Sequence, residues 1–272
     1  MKKKTAQKET KSVTKIKFNL KTTVKRFGLP IATVVAVLLI GFIATKTRNS
    51  NNAANQQQQI QPTPTILPPN ILPLPQPDYR SNTSVESAMH SRRTKRDIKP
   101  DQLSLKQIGQ MLWAAQGVTT DWGGRTTPSA KSTYPLTVYL VANNIEKLEN
   151  GIYKYIPGDR VPAHQLTPLK LADFKAPLFA ITNQSSTKEP AAVIIITGNM
   201  QKMADAYGGV KHDKEVYLEV GHAAENMYLQ AESLKLGLVV ISTFEEDKIR
   251  DLFSLPTNES IIYLIPVGYP KE

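Results

Sequence analysis

Apolar positions along this chain change their spacing several times, and each spacing predicts a different element. Phe27 to Thr45 is an unbroken uncharged run of nineteen residues. At about 1.5 Å of rise per residue it reaches roughly 28 Å, enough to span the hydrocarbon core of a bilayer. In Leu103–Gly117 the apolar residues fall at 105, 108, 111, 112 and 115, which is helical spacing, with Ser104 as N-cap and Gly117 as stop. A second helix is predicted over Glu215–Leu236, where Val216, Val220, Ala223, Met227, Ala231 and Leu234 line one face. On that helix Glu219, His222, Asn226 and Gln230 form a polar stripe, suited to a dimer seam or to a proton relay. Leu136–Ala142, Gly151–Ile156, Val239–Ser242 and Ile261–Val267 read as strands, and Ala191–Thr197 (AAVIIIT) as a strand buried on both faces. A Pro-Gly turn at 157–158 follows the Gly151–Ile156 strand. Helices and strands do not alternate regularly, so the order is α+β rather than βαβ.

Composition divides the chain further. Ten Lys/Arg lie between Lys2 and Arg26, immediately before the long apolar run, and only Lys46 and Arg48 flank its far side. That asymmetry predicts a cytoplasmic basic segment at 1–26, a single transmembrane helix at 27–45 and the bulk of the chain outside the cytoplasm. A cleavable signal peptide shares the basic start, but its apolar region is usually about 7–15 residues, and no small-x-small site closes this one cleanly. Residues 46–83 are rich in Asn, Gln and Pro and predict an extended, disordered tether. The folded domain is expected at 84–272.

The formal net charge of +11 does not mark a nucleic-acid binder. Residues 1–83 carry 13 basic and 2 acidic residues, a net of +11, whereas 84–272 carry 21 of each. A neutral folded region has no footprint for a polyanion, so no nucleic-acid partner is expected. With no cysteine, thiolate nucleophiles, disulfides and iron–sulfur clusters are excluded. G-x-G-x-x-G, Walker A, G-x-S-x-G and H-E-x-x-H are all absent, and no metal is expected.

The chemistry that remains is in Ser91-Arg92-Arg93-Thr94-Lys95-Arg96, guanidinium groups interleaved with a hydroxyl, suited to gripping phosphate. By itself such a run is more often a solvated helix start or a linker edge. Six further motifs follow it in order: Leu112–Thr119 (LWAAQGVT), Arg125–Ala130 (RTTPSA), Tyr134-Pro135-Leu136, Gly151–Tyr155 (GIYKY), Gly221–Asn226 (GHAAEN) with Leu229-Gln230-Ala231, and Tyr263–Gly268 (YLIPVG). This series, over about 84–272, resembles the nitroreductase-like FMN flavoproteins, in particular the SagB-type dehydrogenase branch. The resemblance implies a central mixed sheet flanked by helices, FMN as cofactor, NAD(P)H as a candidate electron donor and a homodimer with its sites at the subunit interface. The activity it implies is hydride transfer between flavin and a small-molecule substrate. It further implies that Arg92, Arg93, Thr94 and Arg96 hold the phosphate and ribityl chain. Pro128, Ser129, Ala130 and Ser132 would approach the partner subunit's flavin, and backbone groups of Val240, Ile241 and Ser242 would face its edge. No catalytic acid or base is assigned. Ser242 and Val239 stand where the family commonly has glycine, and Ala206-Tyr207 lacks the lysine of the azoline-oxidising members. These departures favour an alternative: a nitroreductase-like dimer without turnover, acting as a flavin-binding or protein-interaction module on the membrane.

Overall fold

The structure, a computed structural model, describes residues 71–158 and 162–271. In chain order these form β1 (Leu72–Pro73), α1 (Val85–Ser91), α2 (Leu105–Gln116), β2 (Leu136–Ala142), β3 (Gly151–Gly158), β4 (Pro162–Leu171), α3 (Lys175–Thr182), β5 (Ala192–Gly198), α4 (Met200–Ala206), α5 (Asp213–Leu234), β6 (Gly237–Leu238), α6 (Glu246–Phe253) and β7 (Ser260–Gly268). The strands make one sheet in the order β1-β4-β3-β2-β5-β7-β6. The expected mixed sheet is antiparallel in every named strand pair, and among the described residues parallel pairing is confined to the isolated bridge between Leu103 and Ile145.

Strand alternation explains how the sheet is covered. Leu136, Val138, Leu140 and Ala142 of β2, with Ala192, Ile194 and Ile196 of β5, point into a core shared with α2 and α5. Tyr139, Val141, Val193 and Ile195 point the other way, into a second core closed by Phe174, which precedes α3, Leu178 of α3, and Ile249 and Phe253 of α6. Both faces are therefore apolar, which is why β5 reads as a continuous run. α2 starts at the anticipated N-cap, Ser104, which forms a capping box with Gln107, and stops at Gly117. In α5, Val216, Val220, Ala223, Met227 and Ala231 are all buried, as the spacing predicts.

The expected tether over 46–83 is shortened at its C-terminal end, because residues 72–79 pack on the domain. Leu72 and Pro73 pair with β4, Leu74 is buried, and the Asp78 backbone exchanges hydrogen bonds with the buried Gln110 amide at 2.8 and 3.0 Å. Proline is tolerated there because an edge strand has an unpaired side. The strand expected at Val239–Ser242 is shorter and earlier: pairing with β7 occurs at Gly237 and Leu238, and then at Ile241 through an isolated bridge. Among the described residues no helix is long and apolar enough to cross a membrane. The expected span at 27–45 and basic segment at 1–26 lie outside the described residues.

Candidate functional site

The arginine-rich run leaves α1 at its C-cap, Arg92, and is fixed to the sheet edge by its backbone. The Lys95 amide donates to the Leu238 carbonyl at 2.9 Å, and a Cβ on Gly237 would lie 2.8 Å from Lys95 Cβ, so only glycine admits this approach. Arg93 turns back, donating from Nη1 to the His90 and Arg92 carbonyls at 2.9 and 2.8 Å, and so closes the helix end. Arg92 lies over the Tyr228 ring at 5.1 Å from its centroid, with Nε 3.8 Å from Glu225. Arg96 is exposed and in no ion pair among the described residues.

Tyr228 on α5 joins this run to the chain after β6. Its hydroxyl lies 3.3 Å from the Thr94 hydroxyl and accepts from the Val240 amide at 3.3 Å. Of the three positions expected to face the flavin edge, Ile241 departs: its amide and carbonyl both bond to Leu264, and its side chain is buried. The β7 bridge that uses those groups leaves Ser242, which is exposed, and the Val240 carbonyl as the open positions. Residues 92–96 and 240–242 thus converge on one helix position.

Residues 128–132 are held elsewhere. Glu219 Oε1, buried on α5, accepts from the Ser129 hydroxyl at 3.0 Å and from the Ala130 amide at 2.8 Å. The Ser129 hydroxyl also accepts from the Tyr134 amide at 2.7 Å. Lys131, Ser132 and Tyr134 all have left-handed backbone, φ 52°, 53° and 47°, a costly cluster for residues with a Cβ. Further bonds brace it: Lys202 Nζ reaches the Tyr134 carbonyl and Lys131 Nζ the Ala206 carbonyl, each at 2.9 Å. Burial pushes the Glu219 carboxyl above its ordinary range, against the opposing pull of the Ala130 and Ser129 bonds. Nine residues separate Glu219 from Tyr228, about 13 Å along the helix. One chain therefore keeps its two groups of expected site residues apart.

Glu219, Asn226 and Gln230 of the polar stripe bond within the chain: Asn226 to the Thr126 carbonyl at 3.1 Å, Gln230 to Gln110 at 3.0 Å. Only His222 of the four is exposed. The sequence reading missed a cluster beside the strained loop. Lys131 Nζ sits 4.2 Å from the centroid of Tyr207, which stacks at 3.8 Å on His212, itself 3.2 Å from Glu215. Lys131 thus brings an ammonium group to Ala206 and Tyr207 from far along the chain, a proximity no local spacing announces.

The residues present fit an FMN phosphate. The backbone of this run is held at the Arg92 and Lys95 amides while the Arg96 guanidinium, the Thr94 hydroxyl and much of Arg92 stay accessible, and the carboxylate beside them is Glu225. Among the described residues no cluster could hold a metal ion.

The profile of the nitroreductase family matches residues 89–269. A curated nitroreductase-family protein of Methanocaldococcus jannaschii is 34% identical over 196 residues, covering 69% of this chain and 92% of that protein. Iodotyrosine deiodinase of Daphnia pulex is 27% identical over 198 residues, covering 67% of this chain and 58% of the deiodinase. A solved nitroreductase-family structure from Ralstonia eutropha superposes with a TM-score of 0.63 at 25% identity, over 75% of this chain and 90% of that one.

Proposed function

The chain belongs to the nitroreductase family, and from that premise we propose that it is an FMN-dependent oxidoreductase acting on a small molecule, of the SagB-type dehydrogenase kind. The observation that carries this reading is the arginine run pinned to β6 with its donors left open beside Tyr228. When bound, FMN supplies a two-electron carrier. Arg92, Thr94 and Arg96 hold its phosphate end, and Tyr228 keeps Thr94 and Val240 in register with each other. Ser129 and Ala130, fixed by Glu219, present the strained loop outward.

Because the loop and the clamp lie apart in one chain, the reading calls for a homodimer in which each loop serves the partner's flavin. The outward side of α5 supports this, with Tyr217 and Leu218 both more than half exposed and open space where a Gly221 Cβ would be. Stopped-flow mixing tests the reading: full-length protein loaded with FMN and reduced chemically is mixed with a nitroaromatic or quinone acceptor. Reoxidation whose rate rises with acceptor concentration supports an enzyme. Rates independent of every acceptor would leave the non-catalytic flavin-binding module.

The anchor is part of the proposal. The run at 27–45 holds the protein in the bilayer with its N-terminus in the cytoplasm and its domain outside, where soluble NAD(P)H is scarce and another reductant is required. Protease added to spheroplasts should remove the domain; resistance until permeabilisation would reverse the orientation and make NAD(P)H the donor.

A further inference from the structure

Behind the strained loop lies a cavity of about 280 Å³, between the start of β2, the end of β3 and the N-terminal end of α4. Arg125, Lys154 and Lys202 line it, together with Tyr134, Tyr155 and Asn199. None of the three cations forms an ion pair among the described residues. The carboxylate that lines the cavity, Glu259, is already engaged by the hydroxyls of Thr137, Tyr139 and Thr197. Arg125 is fixed from behind, with Nη1 donating to Gln116 at 2.9 Å and the guanidinium 4.7 Å from the centroid of Tyr134. Its Nε is buried and has no hydrogen-bond partner among the described residues. A buried guanidinium donor without an acceptor is costly, and so is a set of like charges around a cavity.

We propose that this cavity binds a small oxyanion, a carboxylate or phosphate group on a compact molecule, with Arg125 as the anchoring donor and Lys154 and Lys202 as flanking charges. The volume sits at the small end of ligand pockets, which run to roughly 300–1,000 Å³, so the ligand is compact. The electrostatics agree with the geometry: burial, and then repulsion from Arg125, hold the Lys202 ammonium below its ordinary value, and burial likewise lowers Arg125. The charge of Glu219 acts on Lys202 in the opposite sense, from beyond ion-pair distance. An incoming anion relieves both strains. It also braces the loop, because Arg125 packs on Tyr134 and Lys202 holds its carbonyl.

Calorimetric titration of the full-length protein with inorganic phosphate and, separately, with succinate tests this at constant ionic strength, in FMN-free and FMN-loaded samples. We expect saturable binding of one anion per chain in the FMN-loaded sample, where the 92–96 run is already filled, and the tighter probe identifies the headgroup. Arg125→Gln should weaken it by at least about tenfold, as loss of a charge-assisted hydrogen bond does. Lys154→Met should weaken it less, and Lys147→Met, which removes the same charge from an exposed turn, should leave it unchanged. Should Arg125→Gln fail to fold, the Lys154→Met and Lys147→Met pair still decides. Equal affinities in that pair, or no saturable binding of either probe, would overturn the proposal. Binding in the FMN-free sample that Lys154→Met weakens and Arg96→Ala leaves unchanged would uphold it even if the flavin reading failed.

Discussion

Replacing Tyr228 by Phe removes one oxygen and keeps the ring, so it isolates the link between the arginine run and the chain after β6. Two contacts are lost, to the Thr94 hydroxyl and from the Val240 amide, each 3.3 Å long. Both are at the weak end of hydrogen-bond lengths, so each is taken near the bottom of the net range of about 0.5–1.5 kcal/mol. The Arg92 guanidinium, 5.1 Å above the ring, keeps its cation–π partner. The sum is about 1 kcal/mol, which converts to roughly fivefold weaker FMN binding. If the same loss fell entirely on folding, a domain of this size would melt about 2–4 °C lower. Fluorescence titration of FMN against both proteins, with melting curves of the flavin-free forms, separates the two. Unchanged FMN affinity beside a lowered melting temperature would show that the hydroxyl serves the fold alone. A loss beyond a hundredfold would mean that it touches the flavin directly, and either result refutes the reasoning.

Other outcomes follow from the same geometry. Arg92→Ala should weaken FMN binding by roughly ten- to a hundredfold, the effect of losing one charge-assisted hydrogen bond, whereas Lys188→Ala should not; equal affinities in a titration would make the run a solvated surface. Glu219 has a raised folded pKa, so its charge opposes folding, and that opposition grows as pH rises from about 4.5. Glu219→Gln should therefore gain stability relative to the parent through that window in melting curves, while Glu219→Ala, which strips Ser129 and Ala130 of their acceptor, should lose it. His164 is buried against Tyr155, 2.9 Å from its hydroxyl, and burial holds its pKa down. Stability should fall as pH drops below about 6.5, where the unfolded chain takes up a proton that the folded one refuses; His164→Gln should flatten the slope, and parallel curves would exclude His164 as the cause.

The sequence was most legible where periodicity and capping agreed. Leu136–Ala142 matches its strand residue for residue, and Ser104 and Gly117 bound α2 as their chemistry requires. β4 escaped because Pro162 and Pro168 break the alternation, and the sheet absorbs Pro168 through a register shift opposite Ile152 and Tyr153. α1 and α6 are short, at 7 and 8 residues, and fall below the length at which a helical period stands out. The arginine run was visible as chemistry, but its docking on β6 depends on Gly237, which no spacing rule connects to Lys95. Glu219 was visible only as one member of a polar stripe. Its role as acceptor for Ser129 and Ala130 comes from a contact ninety residues away in the chain.

The central claim, that this domain holds a flavin through the 92–96 run, is tested most directly by the absorbance spectrum of the full-length protein purified without added cofactor. The account predicts a yellow protein with flavin bands, releasing FMN on denaturation at one per chain, and colourless when both Arg92 and Arg96 are alanine. A colourless parent protein that neither takes up FMN nor melts higher in its excess would contradict it.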